Sequence, residues 1–454
     1  MTASFSDPDA RGTASIPSSP PDPSLLELPA IDAAGRRRVV LACVLGNGLE
    51  WFDFMIYGYF STVLAGAFFP AQDPFASRAA AFGVFALSYV VRPFGGILIG
   101  YYADRYGRRN ALSLLILGMA AGTLVIGLTP THAAIGLAAP LLIILGRVIQ
   151  GLSVGGEFAS GTALLVEYAP PGSKIFYGSF QMSSQALSQF LASTAGFIVL
   201  GLMPHRAGLD WGWRLPFLLG SLVGPLGFYL RRRIVEAPEF VAARRRREEL
   251  PPSLRAAWRQ QGAPMIAGMG LIVMGTAGVY LWAVYLPTFV RQLGLPISVL
   301  FRNAMICSAC SFALIPLVGR LADRVGPFRV LIPGILVYGL MAYPLFAFVI
   351  AEPSGGRLFL VQFIAMLGFL FVQAPTPGTV ALLFPTTLRG AGMAITYNIP
   401  VMIFGGLAPS VVDWVHHETG DPMAPAYYLL AAMTVSLALV LVPLMAARDR
   451  FKWD

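Results

Sequence analysis

Gly100-Tyr101-Tyr102-Ala103-Asp104-Arg105-Tyr106-Gly107-Arg108-Arg109 and Gly319-Arg320-Leu321-Ala322-Asp323-Arg324-Val325-Gly326 carry one pattern twice. Glycine, aspartate, arginine and glycine recur at identical spacing. Each copy follows a long apolar run, the second such run of the first half of the chain and the second of the other half. Two unrelated glycine–arginine turns would have no reason to fall at matching points, so the chain reads as two related halves.

Working outward from these loops, the segments on either side are too apolar for water. The 454 residues are 56% hydrophobic and 12% charged, with a mean hydropathy of +0.68, whereas soluble domains carry about 25% charged residues. A bilayer-spanning helix needs about 20 apolar residues. That ruler gives twelve spans, at 39–67, 77–101, 110–130, 137–166, 176–203, 214–231, 264–289, 297–320, 328–351, 357–384, 389–414 and 424–446. The expected class is therefore an all-α polytopic membrane protein of two six-helix halves. Its expected organisation is a disordered cytoplasmic tail at 1–35, an N-terminal half at 36–231, a cytoplasmic linker at 232–263, a C-terminal half at 264–447 and a short tail at 448–454. The tail holds no apolar core for a signal peptide.

The net charge of +9 does not mark a nucleic-acid groove. Its basic residues stand in short segments between apolar runs, on alternate connections: Arg36 to Arg38, Arg105 to Arg109, Lys174, Arg231 to Arg233, Arg244 to Arg247, Arg324, Arg329, Arg389 and Arg448. The opposite connections hold few, among them Arg78, Arg206 and Arg357. This bias predicts cytoplasmic termini in a cell's inner membrane. Cys43, Cys307 and Cys310 sit in apolar surroundings as membrane-buried thiols. His132, His205, His416 and His417 fall in outer connections with no metal-ligand spacing. No nucleophile–histidine pair inside the spans suggests an enzyme.

Charge inside a bilayer costs about 2.5–3.5 kcal/mol per residue, so each intramembrane charge is informative. Asn47, Glu50, Asp53 and Tyr57 recur every three or four residues and are expected on one inward face of the first span. Two carboxylates that close repel when both are ionised, as a proton-binding pair would require, and Glu50 and Asp53 become candidates for coupling-cation binding with Glu157 of the fourth span. Asn47, Arg92, Arg147 and Gln150 are the matching candidates for solute binding. Arg92 could instead pair with Glu50 or Asp53. Gln181, Ser184, Gln185, Ser188 and Gln189 form a polar stripe on the fifth span, suited to a solute or to helix–helix hydrogen bonds. Tyr280, Tyr285, Tyr397 and Asn398 are candidates from the second half, with Thr276 and Gln373. Asp104, Arg105, Arg108, Asp323 and Arg324 read as a gate that links the halves at one face. Together the intramembrane charges are expected to surround one hydrated chamber.

Gly100 to Arg109 resembles the loop signature of the major facilitator superfamily. Within it, Gly46-Asn47-Gly48-Leu49-Glu50-Trp51-Phe52-Asp53-Phe54, Arg92-Pro93-Phe94-Gly95-Gly96, Gly146-Arg147 with Gln150-Gly151, Gly155-Gly156-Glu157 and Trp213-Arg214-Leu215-Pro216-Phe217 look similar to the metabolite–proton symporters. With Ile403-Phe404-Gly405-Gly406-Leu407 and Thr419-Gly420-Asp421, the similarity is greatest to the citrate/tricarballylate–proton symporters. Leu382 stands where that family often has glutamate, and Gly326-Pro327-Phe328-Arg329 where paired basic residues are usual. The resemblance implies a cofactor-free monomeric carrier. It would couple a proton, or sodium, to uptake of a carboxylate such as citrate by alternating access. Another organic acid (dicarboxylate, ketoacid or shikimate-like), a zwitterionic osmolyte, or a solute-binding membrane sensor remain open.

Overall fold

A computed structural model describes residues 33–95, 98, 108–155, 157–203, 208–231, 254–385 and 389–446. The expected N-terminal tail, most of the expected linker, and the gate residues Asp104 and Arg105 lie outside the described residues. So do the side chains of Glu50, Arg108 and Glu157.

All regular structure among the described residues is helical. Ten helices among the described residues are long and apolar enough to cross a membrane: α1 (Gly35–Tyr59), α2 (Pro74–Gly95), α4 (Ala138–Glu167), α5 (Lys174–Leu202), α7 (Gln261–Gln292), α8 (Ile297–Val325), α9 (Pro327–Ala351), α10 (Gly355–Leu382), α11 (Gly392–Thr419) and α12 (Ala424–Ala446). Two more complete the set of twelve: α3 (Arg108–Leu128) and α6 (Arg214–Arg231). The first span is shorter than its hydropathy suggests. It ends at Tyr59, and the remaining apolar residues form a separate short helix, Ser61–Phe68. Conversely, helix reaches into the expected linker: Leu254–Tyr280 is helical apart from a kink at Gln261.

Large apolar side chains such as Leu98, Leu141, Leu219, Leu340 and Met445 stand exposed around the outside. On a water-soluble protein that would be a liability; here it is the face that lipid covers. The helices alternate in direction. One end of the bundle collects Arg36, Lys174, Arg324, Arg329 and Arg389, and is called the basic end below.

Within the first half, α1 packs on α5 and α6, and α3 on α4 and α6; within the second, α7 packs on α10, α11 and α12, and α9 on α10 and α12. The halves meet through α5 with α8 and α10, α2 and α4 with α11, and α1 with α7. Near the basic end the α5–α10 approach needs bare backbone, since a Cβ on Gly178 would sit 2.7 Å from the Cα of Gly378.

Candidate functional site

The most constrained charges form a ladder through the first half. Gly151 brings α4 close enough to α2 for Arg147 to donate from Nη2 to the Ser88 hydroxyl (2.7 Å) and the Phe85 carbonyl (3.3 Å). Its Nη1 donates to Gln150 Oε1 at 2.9 Å. Gln150 Nε2 donates to the Thr123 hydroxyl at 2.8 Å, and that hydroxyl lies 2.6 Å from Asp53 Oδ2. Asp53 Oδ1, beside Gly220 of α6, has no hydrogen-bond partner. Arg147, Gln150 and Thr123 are wholly buried, and Asp53 is 4% exposed.

Aromatic rings fill the space around the guanidiniums. Arg147 lies 4.3 Å from the Tyr57 ring centroid, 5.0 Å from Phe85 and 5.2 Å from Phe54. Arg92 lies 4.1 Å from Tyr89, 4.6 Å from Phe54 and 5.9 Å from Trp51. Such contacts contribute about 2 kcal/mol each when desolvated, which offsets part of the cost of burying a cation.

Two cavities lie between the halves. The one nearer the basic end, with about 390 Å³ of empty space, is lined by Trp51, Gln185, Thr276, Tyr280, Gln373, Thr376 and Tyr397 with Met182, Ile272, Gly275 and Val279. The second, about 610 Å³, is lined by polar groups including Gln189, Ser308, Ser311 and Gln362, and by Tyr59, Trp282 and Cys307. Val279 and Gln373 border both. Neither lining contains a charged side chain among the described residues.

Side-chain contacts join the halves near both ends of the bundle. At the basic end Asp323 of α8 accepts from the backbone N–H groups of Ile175 (2.9 Å) and Phe176 (2.8 Å), binding the N-terminus of α5 in the opposite half. Nearby, Arg389 Nη1 meets Glu167 Oε1 at 3.1 Å. At the other end Arg78 of α2 meets Asp413 of α11 at 3.2 Å, and the His417 ring stacks on Phe75 with centroids 3.9 Å apart. Among the described residues the two halves are thus in contact near both ends of the bundle.

The expectation of one hydrated chamber ringed by the intramembrane charges is corrected. Asn47, Asp53, Arg92, Arg147 and Gln150 line neither cavity; the ladder is buried behind the wall. Asn47 donates to Ser184 (2.5 Å) and accepts from Gln181 Nε2 (3.1 Å), tying α1 to α5. Steps of three residues each lag a full turn by about 60°, so Asn47 and Asp53 point about 120° apart. The polar stripe of α5 likewise divides: Gln185 and Gln189 reach the cavities, while Gln181, Ser184 and Ser188 bond to neighbours, Ser188 to the Gly48 carbonyl. Tyr280 and Tyr397 line the first cavity. Tyr285 lies outside both, with its hydroxyl 3.5 Å from Gln292. Asn398 donates to the carbonyls of Gly155 and Ala394, a contact between halves. Arg324 is exposed. Arg92 makes no hydrogen bond to Asp53, and the side chain of Glu50, its other suggested partner, lies outside the described residues. Thr123, Glu167, Arg389 and the Arg78–Asp413 pair were not singled out by their sequence context, because their partners are 70 to 335 residues away.

Comparison with known proteins completes the assignment. Residues 51–409 match the Major Facilitator Superfamily. The citrate-proton symporter of Klebsiella pneumoniae is 36% identical over 413 residues, 89% of this chain and 91% of that protein. A protein of Staphylococcus aureus assigned as a proline/betaine transporter is 33% identical over 423 residues, 90% and 88% of the two chains. The proton:xylose symporter XylE bound to 6-bromo-6-deoxy-D-glucose has the same fold, with a TM-score of 0.71 at 17% identity over 90% of this chain and 95% of that one. Twelve long helices among the described residues, packed as two halves with cavities between them, and the match to the family over residues 51–409 place this chain in the Major Facilitator Superfamily of membrane transport proteins.

Proposed function

We propose that this chain is a proton-coupled symporter that carries citrate or a related tricarboxylate across the inner membrane by alternating access, as a monomer with both termini in the cytoplasm. The basic end then faces the cytoplasm. The name of the Klebsiella relative supports the substrate. The observation that carries the coupling is Asp53: a carboxylate inside the bundle, one oxygen held by Thr123 and the other without a partner. Oδ1 is the atom open to a proton. Protonation there removes a charge from the end of the ladder and changes what Thr123, Gln150 and Arg147 must balance. Arg147 is bonded to α2, which meets α11 of the other half, so the ladder ends at a moving interface. Arg92 is the cation for a solute carboxylate, and Gln185, Gln189 and Gln373 offer amides to hydroxyls and further carboxylates.

A specific observation also favours a second reading. Trp51, Tyr280 and Tyr397 wall the first cavity without a charged neighbour among the described lining residues, as a quaternary ammonium would require. That suits a zwitterionic osmolyte, in keeping with the name of the Staphylococcus relative. Uptake into proteoliposomes under an imposed pH or sodium gradient decides. Citrate accumulation driven by the proton gradient supports symport of an acid. Accumulation of glycine betaine without citrate transport supports the osmolyte. Binding with no accumulation makes the protein a sensor.

A further inference from the structure

Arg92 is 1% exposed, and although the Tyr89 hydroxyl lies near it, Nε, Nη1 and Nη2 make no well-formed hydrogen bond. A guanidinium presents five N–H donors, and leaving a buried charge unbonded costs several kcal/mol. The ring contacts of Arg92 with Tyr89, Phe54 and Trp51 satisfy none of those donors. An arrangement so incomplete calls for an explanation.

The path from this cation to the first cavity runs through two tyrosines, one from each half. Tyr280 of α7 lines the cavity. Its ring meets Tyr89 of α2 edge-on, with centroids 5.2 Å apart, and Tyr89 covers Arg92. The two buried hydroxyls lie close to each other, and that of Tyr89 to Arg92, but none of these approaches is a well-formed hydrogen bond. The two rings rest on Gly405 and Gly406, within the π-helical turn Val401–Gly406 of α11. A Cβ on Gly405 would stand 2.6 Å from the Tyr280 ring, and one on Gly406 would stand 2.8 Å from Tyr89 Cβ. The glycine pair is therefore a seat shaped for these two rings.

We propose that Tyr280 and Tyr89 form a lid over an anion subsite whose base is Arg92. The inference rests on the reading of Arg92 as the solute's carboxylate anchor. Arg92 and Tyr89 belong to the first half; Tyr280 and its glycine seat belong to the second. Rocking the halves apart withdraws Tyr280 from Tyr89 and opens Arg92 to the cavity. A solute carboxylate then takes the donors that the closed conformation leaves unmet. Closing without an anion returns the guanidinium to its aromatic cage, so the lid makes exposure of the cation depend on the state of the carrier.

Site-resolved modification of Arg92 by phenylglyoxal, quantified by mass spectrometry on the purified full-length protein, tests the lid. Wild-type Arg92 and Tyr280→Phe, which keeps the ring, should react slowly. Tyr280→Ala should react about tenfold faster, the effect of losing one aromatic cover, and citrate should slow it again. Gly405→Ala, which displaces the Tyr280 ring while leaving it in the chain, should also react faster and serves if Tyr280→Ala fails to fold. Wild-type rates in both opened variants would overturn the lid. Faster reaction that citrate does not slow would leave a lid but remove the anion subsite, and with it Arg92 as the anchor.

Discussion

Arg147 and Asp53 lie at opposite ends of one hydrogen-bonded line but do not touch: Gln150 and Thr123 stand between them. A direct ion pair would fix the charge of the carboxylate. A line of two neutral groups lets the carboxylate lose its charge while Arg147 keeps its bonds to Ser88 and Phe85. The Thr123 hydroxyl is the joint, because it accepts from Gln150 and donates to Asp53.

Thr123→Val keeps the volume and removes that joint. A hydrogen bond to a charged group contributes about 1.5–3 kcal/mol, so gradient-driven accumulation in proteoliposomes should fall about tenfold or more, with Thr123→Ser retaining most of it. Wild-type accumulation by the valine variant would show that the ladder is only scaffolding.

The two latches should bias the carrier in opposite directions. Cys307 lines the second cavity and reports on access to it. In a Cys43→Ala, Cys310→Ala background, Asp413→Ala should speed labelling of Cys307 by an impermeant maleimide added outside cells, by about fivefold or more, because breaking a buried pair shifts the population toward the open state. Glu167→Ala should leave that labelling at or below the wild-type rate. Equal effects of the two variants would refute the assignment of opposite gates.

Solute identity has a simple reading in thermal unfolding. A ligand at about 100 times its Kd adds about 2.7 kcal/mol of stability. Citrate should raise the Tm of the purified protein, and proline and glycine betaine should not. Stabilisation by betaine alone would replace the citrate reading with the osmolyte one.

The twelve spans were legible because each must bury about 20 residues in oil, and α6 was read to the residue at Arg214–Arg231. Asp53, Arg92 and Arg147 were legible as charges that lipid would not tolerate. What they face was not. Helical spacing fixes the angle between Asn47 and Asp53 but not which neighbour lies at each angle, and the neighbours turned out to be α5 and α3. The latches escaped for a related reason: Arg78 and Asp413 are 335 residues apart, and nothing local in either segment points to the other. The π-helical turns at Leu281–Tyr285 and Val401–Gly406 are set by packing between helices, which no single segment records.

Transport by Asp53→Asn tests the central claim most directly, since asparagine imitates the uncharged acid but takes up no proton. Reconstituted beside wild type with labelled citrate, the variant should exchange citrate across the membrane at a comparable rate yet build no gradient when the lumen is made alkaline. Accumulation by Asp53→Asn equal to wild type would contradict the assignment of proton coupling to this carboxylate.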